Sequence, residues 1–507
     1  MPNTITQPQL ERYLWGAATT LRGLIDAGDY KGYIFPLLFF KRISDIYDEE
    51  FQQALDESEG DAEYAALKEH RFQIPEGAHW ADVRNTATNV GAAIQRAMRQ
   101  IESANPAQLD GIFGDAQWSN KDRLSDATLR DLIELFSTLA LSIANVPQDE
   151  LGQAYEYLIK KFADDSGHTA AEFYTNRTLV RLMTLMLDPR PGESLYDPTC
   201  GSGGMLLTAA VQLKAVGQEY RTLRLYGQEL NLITSTIART NLFLHGIEDF
   251  AVVRGDTLAN PAFHDRDRLR QFDVILANPP YSIKQWDRTA WQSDPWSRNR
   301  FGVPPQGIAD YAFFQHILAS LTPGTGRCAI LFPHGVLFRD AEAAMRAKIV
   351  DADLIECVLG LGPNLFYNSP MESCVVICRT RKPAERQGKI LFINAVHDVT
   401  RERAQSFLEE GHIQRILAAY HAFADEPGYA RVVDLDTIRA NNSNLSIPLY
   451  IRPVAASAAD GTAIVAPSLA ETIANWEESS RALRLTMDDL FATLTSTVPV
   501  SAQKAER

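Results

Sequence analysis

"SLYDPTCGSGGMLLTAAVQLKAVG", Ser194 to Gly217, is the stretch from which the fold can be read. A short apolar run, a glycine-rich loop and a long apolar segment follow one another as strand, turn and helix should. The grammar then repeats. "LRLYGQEL" (strand), "NLITSTIARTNLFLHGI" (helix), "FAVVRGD" (strand) and "FDVILANPP" (strand) carry it to Pro280, and "ADYAFFQHILASL" supplies a helix before three further apolar strands in "GRCAILFPHGVLF", "LIECVLGLG" and "ESCVVICRT". Such alternation predicts an α/β fold built on a doubly wound parallel sheet. The first four strands then end on one carboxyl edge, where ligands of open α/β sheets bind.

Each of those strand ends carries candidate chemistry. "DPTCGSGG" (Asp197 to Gly204) places Asp197 and the glycines Gly201, Gly203 and Gly204 where a backbone can approach a cofactor and helix amides can point at it. No Lys followed by Ser or Thr closes the loop, which argues against a phosphate-cradling P-loop. Glu229, in "GQEL", lies 32 positions after Asp197 at the next strand end, as an acceptor for ribose hydroxyls. Asp256, in "RGD", ends the third strand as an acceptor for an adenine amino group. Either acid alone would pass as an exposed turn residue, but three successive strand ends of suitable type favour a cofactor. The fourth end is "NPPY", Asn278 to Tyr281. An exocyclic amine conjugated to a ring is a poor nucleophile. The side-chain oxygen of Asn278 and the carbonyl of Pro279 can accept its two protons and turn the nitrogen lone pair toward a methyl sulfonium. Pro279 and Pro280 hold those acceptors in place, and Tyr281 offers a face for a base that has left its duplex.

Outside this core the chain is less specific. Residues 1–150 read as an all-helical domain: "TQPQ" has capping-box spacing, "GYIFPLLFFKRISDIYDEEF" is a strongly apolar helix interrupted at Pro36, and "SDATLRDLIELFSTLALSIA" runs from an N-cap serine at Ser125 to Ala144. After "KILFINA" (Lys389 to Ala395) the sequence turns polar and irregular. It becomes periodic again in a C-terminal segment, 441–507, with a helix over about 468–495 whose stripe Leu469, Ile473, Trp476, Leu483, Met487, Leu490 and Leu494 suits packing on another helix, its own or a partner's. At 507 residues and 45% hydrophobic the chain is multidomain. It has a polar opening and no apolar run long enough for a membrane span, so the expected compartment is the cytoplasm. Its five cysteines show no metal-ligand or disulfide spacing, so no metal is expected and Cys374 and Cys378 read as buried small hydrophobes. A net charge of −15 has the wrong sign for a protein that grips DNA unaided, which calls for local basic patches or a helper subunit.

In this order, "DPTCGSGG", "GQEL", "RGD" and "NPPY" resemble the amino-methyltransferase motifs of S-adenosylmethionine-dependent DNA methyltransferases. "DELGQAYEYLIKKFADDSGHTAAEFYTNRTLVRLM" resembles the segment preceding the catalytic domain in modification subunits of type I restriction-modification systems. The likeness extends through "GYIFPLLFFKRISDIYDEEF", "ADYAFFQHIL" and "GLGPNLFYNSPMESCVVI" over nearly the whole chain. It implies a Rossmann-like methyltransferase domain over 151–440 that uses S-adenosyl-L-methionine to methylate adenine N6. Glu172, Phe173, Tyr174, Thr175, Asn176 and Arg177 would close over the cofactor, Ser202, Gly203 and Gly204 would line its methionine end, and Phe366 is a candidate second stacking face. Asn176 departs from the usual proline after "EFYT". The implied partners are DNA, one specificity subunit for two modification subunits, and a restriction subunit when cleavage occurs. Consistent with a separate specificity subunit, only about 110 residues follow Ala395, too few for a target-recognition domain. The loop "KQWDRTAWQSDPWSRNRFGVPP" (Lys284 to Pro305), with Arg298 and Arg300, is a candidate DNA-covering element or, equally, a packed aromatic loop. "NPPY" also serves methylation of a glutamine amide or a guanine amino group, and a non-catalytic subunit of the same fold is a further alternative.

Overall fold

The computed structural model describes residues 5–25, 29–68, 70–165, 174–365, 372–402 and 405–452, together with 473, 476–481, 483, 484, 486 and 487. The chain divides into two compact units, 1–451 and 452–507.

The first unit opens with helices α1 (Gln7–Thr20), α2 (Tyr30–Glu57), α3 (Val90–Ala104), α4 (Asp126–Ser137) and α5 (Gln148–Asp165). The Thr6 backbone N–H donates to Gln9 Oε1 at 2.9 Å, so the expected N-terminal cap is in place. Two expectations are corrected here. Pro36 does not interrupt α2, because at the second turn it removes only the hydrogen bond to the Gly32 carbonyl while Tyr33 to Ile43 are buried on every side. The helix that starts after Ser125 stops at Ser137 instead of reaching Ala144. Polar residues of α2 draw the following backbone out of helical register. Asp45 accepts from the Leu141 N–H at 2.6 Å and Glu49 from Ile143 and Ala144, while Arg42, 2% exposed, donates to the carbonyls of Ser142 and Val146.

Helix α6 (Arg177–Leu187) leads into the sheet: β1 (Ser194–Asp197), α7 (Gly204–Ala215), β2 (Arg224–Glu229), α8 (Leu232–Leu244), β3 (Phe250–Arg254), β4 (Val274–Ala277), α9 (Asp310–Ala319), β5 (Arg327–Pro333), α10 (Ala343–Asp351), β6 (Ile355–Leu361), β7 (Ser373–Arg379), β8 (Lys389–Ala395), α11 (Glu410–Ala422) and β9 (Ala430–Asp434). The nine strands lie in the order β9-β8-β6-β7-β5-β4-β1-β2-β3. Alternate residues face opposite cores, as a strand period of two requires. Leu195, Leu276 and Leu331 face helices α6, α7 and α11, whereas Tyr196, Ile275 and Ile330 face α9 and α10. The sheet is doubly wound but not wholly parallel: β7 runs antiparallel between β5 and β6, and β9 runs antiparallel on β8. The region after Ala395 is also more regular than its polar composition suggests, since α11 and β9 occupy it and cover that end of the sheet. The helical region shares its core with the outer side of α8 through Ile237, Phe243 and Leu244. All five cysteines are free and buried, and no described helix is long and apolar enough to cross a membrane.

Strand order reverses at β1, which pairs with β2 on one side and β4 on the other. Tyr196 is level with Ile275 and Asp197 with Gly227. The glycine loop and the Asn278 turn therefore leave adjacent strands at the same height.

Candidate active site

At that switch point Thr175, Arg177, Asp197, Thr199, Gly201, Ser202, Gly204 and Asn278, with Cys200 and Met205 behind them, line one small cleft. The fold thus brings three separate segments of the chain together here. Asp197 is 2% exposed, and its Oδ1 accepts only the Thr199 N–H at 3.0 Å among the described residues. Burial pushes its carboxyl up to about 8. The Thr199 N–H opposes the rise and the nearby Glu229 adds to it. Glu229 spans the loop and the next turn, accepting the Gly201 N–H at 3.0 Å with one oxygen and the Asn231 N–H at 2.8 Å with the other. A carboxylate oxygen can accept more than one hydrogen bond, so these contacts do not by themselves rule out a role toward a ligand's hydroxyls. Thr199 Oγ1 is buried and has no partner among the described residues.

Two of the loop's glycines are required by space. A Cβ on Gly204 would sit 1.7 Å from Arg177 Nη1. Gly203 starts α7 at φ +78°, a left-handed value, with its Cβ position 3.3 Å from Ala238. Gly203 therefore serves helix packing and lies outside the cleft lining. Asp256 is exposed at the end of β3, where its Oδ1 accepts the N–H groups of Leu258 and Ala259. The next residue, Thr257, donates its hydroxyl to the Pro198 carbonyl and ties that end to the glycine loop.

Asn278 is half-buried at the end of β4, and its Nδ2 donates to Thr175 Oγ1 at 3.1 Å. With the nitrogen engaged, the amide oxygen is the end left to accept protons. Pro279 is buried, Pro280 is half-buried, and the half-buried Tyr281 packs its ring against the core beneath α6, α7 and α11. Burial also drives the Tyr281 phenol well above its ordinary pKa, so it stays protonated. Asn176 caps α6 by accepting the Thr178 N–H at 3.0 Å, and it donates to the Ser406 carbonyl at 2.9 Å. This gives the asparagine found where a proline is usual a structural use. Glu172, Phe173 and Phe366 lie outside the described residues.

Arg177 is the centre of a network that sequence reading did not find. Its guanidinium pairs with both oxygens of Glu156 on α5, stacks on Tyr174 at 4.7 Å and reaches Ser202 Oγ at 3.4 Å. Asn241 on α8 donates to Glu156 Oε1 at 2.7 Å and to the Ser202 carbonyl at 3.1 Å. Burial works against the Glu156 carboxylate, yet Arg177 and Asn241 hold its pKa below the ordinary range. The one available signal was Asn241 itself, an amide in the middle of an apolar helix.

The 284–305 loop corrects another expectation. Arg298 cannot reach DNA. It is 1% exposed, paired with the buried Asp294 at 2.6 Å, and donates to the carbonyls of Thr257 and Leu258. It lies between Trp291 and Trp296 and also contacts His316 Nδ1, which burial and the guanidinium together keep neutral. Arg300 alone of the two is exposed. Arg298→Glu is accordingly expected to lower the unfolding free energy by about 3–5 kcal/mol, the cost of orphaning a buried charge. Arg300→Glu should leave it within about 0.5 kcal/mol. Equilibrium denaturation separates the two, and equal losses would mean that Arg298 is not the anchor of this loop.

Residues 146–458 match the family described as N-6 DNA Methylase, and residues 10–136 match the HsdM N-terminal domain. The type I restriction enzyme MjaVIII methylase subunit of Methanocaldococcus jannaschii is 32% identical over 450 residues, covering 84% of this chain and 75% of that one. The HindI methylase subunit of Haemophilus influenzae is 30% identical, covering 75% and 85%. Among solved structures, the type I restriction-modification methyltransferase subunit from Streptococcus thermophilus superposes with a TM-score of 0.76 at 29% identity, over 88% of this chain and 100% of that one.

Proposed function

The chain belongs to the N-6 DNA Methylase family as a type I restriction-modification methylase subunit, an adenine-N6 DNA methyltransferase, and we propose that its switch-point cleft holds S-adenosylmethionine beside a flipped-out adenine. The observation that carries this reading is that Asn278 and the glycine loop line one cleft, with the Asn278 amide held by Thr175. The donor set fits the cofactor. Glu229 brings a carboxylate at the end of β2, Thr199 a buried hydroxyl without a partner among the described residues, and Asp197 a buried carboxyl without a cation beside it among the described residues. When bound, S-adenosylmethionine supplies a methyl group on a positively charged sulfur.

The remaining chemistry belongs to the chain. Asp256 would accept the cofactor's adenine amino group, and Ser202 and Gly204 with Thr175 and Arg177 would enclose its methionine end. The Asn278 oxygen and the Pro279 carbonyl take the two N–H groups of the target amine, which directs its lone pair at the methyl carbon. Tyr281 would stack the extruded base, offsetting part of the unstacking cost of a few kcal/mol. No strong base is needed, because the group that would leave is a neutral thioether and the nitrogen, cationic once alkylated, would give its extra proton to solvent. Membership of the N6 family removes the case for a glutamine amide or a guanine amino group as substrate.

The partners are DNA, a specificity subunit shared by two copies of this chain, and a restriction subunit for cleavage, in the cytoplasm. The −15 charge supports delegation of sequence reading. The described residues between 473 and 487 are helical, and the apolar stripe Ile473, Trp476, Leu483 and Met487 suits a partner helix. Co-expression with the cognate specificity subunit in a host lacking adenine methylation is expected to place N6-methyladenine in the DNA, read by nucleoside mass spectrometry. Unmodified DNA from a soluble, assembled complex would overturn the reading.

A further inference from the structure

The turn that carries Asn278 is held from behind by a carboxylate. Asp310 is the first residue of α9 and is 1% exposed. Its Oδ1 accepts the backbone N–H of Ser282 at 2.7 Å, and its Oδ2 pairs with Arg339 Nη2. Arg339 is itself held by Glu342, 0% exposed, whose Oε2 accepts its Nε–H at 2.7 Å. Ser282 sits at φ +51°, a left-handed conformation that an L-residue with a side chain rarely adopts. The turn after Tyr281 therefore ends in a strained residue whose amide is fixed by a charge-assisted hydrogen bond. Arg339 saturates one oxygen of Asp310 and leaves the other aimed at Ser282. Neither acid has a place in the cleft lining, so binding of cofactor does not explain a buried cluster of two carboxylates around one guanidinium at this spot.

We propose that Asp310 is a positioning residue for methyl transfer, acting through the Ser282 amide to hold the Asn278–Tyr281 turn at the height at which its acceptors meet the target amine, with Arg339 and Glu342 fixing the rotamer of Asp310. This rests on the functional reading above. A reaction needing alignment of nucleophile and methyl carbon loses rate steeply when the acceptors drift by about 1 Å, whereas a cofactor seated on β1 and β2 does not depend on that turn.

The test uses Asp310→Ala, Asp310→Asn and the unsubstituted chain, each assembled with the specificity subunit on target DNA. The Asp310→Ala complex is expected to lose about 10–100-fold in kcat while the Kd for S-adenosylmethionine stays within about twofold. Amide exchange of the peptide covering 278–283 should accelerate. Asp310→Asn keeps an acceptor for Ser282 and is expected to recover part of that loss, which a merely structural role would not produce; should the alanine variant fail to fold, the asparagine variant decides alone by a kcat loss without a change in Kd. An unchanged kcat, or a fall in kcat matched by an equal weakening of cofactor binding, overturns the proposal. Absence of N6-methyladenine with the unsubstituted complex would instead overturn the functional reading, so the two failures are told apart.

Discussion

Asn278→Ala should lower kcat for methyl transfer by on the order of 10²–10³-fold or more in the assembled enzyme, with the Kd for S-adenosylmethionine within about twofold of the unsubstituted chain. The asymmetry follows from the geometry. Asn278 spends its nitrogen on Thr175 at 3.1 Å, so its oxygen is an acceptor already oriented before substrate arrives. Removing it leaves the Pro279 carbonyl as a single grip on an amine whose lone pair stays conjugated with the ring. The anchors proposed for the cofactor are on other strands: Asp197 and the glycine loop after β1, Glu229 at the end of β2 and Asp256 at the end of β3. Asn278→Asp, which retains an acceptor of the same shape, should fall less far. Rapid-quench methylation gives kcat and calorimetry gives Kd; a folded alanine variant that no longer binds S-adenosylmethionine would refute the separation of roles.

The parts of this site that were legible in the sequence are those governed by local rules. The continuous apolar run "FDVILA", the glycines after β1 and the prolines after β4 depend only on neighbours along the chain, and the structure places them where those rules predict. Contacts over long sequence separations were hidden. Glu156 meets Arg177 and Asn241 from a helix 21 and 85 positions away, and its surroundings in the sequence look like any amphipathic helix. Arg298 stays open between two readings for the same reason. Tryptophans and arginines crowded in one loop describe a nucleic-acid surface as well as a packed one, and only the burial of Asp294 beside it decides between them. Composition misled after Ala395, because α11 needs only Ile413, Ile416, Leu417 and Tyr420 to cover the sheet and its other face is free to be polar. Strand β7 carries no mark of direction at all: a continuous apolar run reads the same whether it enters the sheet parallel or antiparallel.

Asp197→Asn should raise thermal stability at pH 8–9 by about 5 °C and change it little near pH 4. An unfolded aspartate ionises near pH 4, whereas burial holds the folded Asp197 carboxyl protonated up to about 8. Between those values the native chain binds a proton that the unfolded chain has released. Stability from this group is therefore complete below pH 4, declines by roughly a tenfold change in the folding equilibrium per pH unit, and is gone above pH 8. Asparagine has no proton to lose and still offers Oδ1 to the Thr199 N–H, so the substitution removes the decline without removing the 3.0 Å hydrogen bond. The carboxyl must have been retained for a charge that folding alone does not require. A cationic ligand in the cleft would restore the ionised form, so S-adenosylmethionine binding should release a proton below pH 8 and tighten as pH rises toward it. Calorimetric titrations in buffers of different ionisation enthalpy measure that proton directly. No release at pH 7, together with a pH-independent gap between the melting temperatures of the two chains, would mean that Asp197 is already ionised before any ligand binds and that burial does not hold its proton.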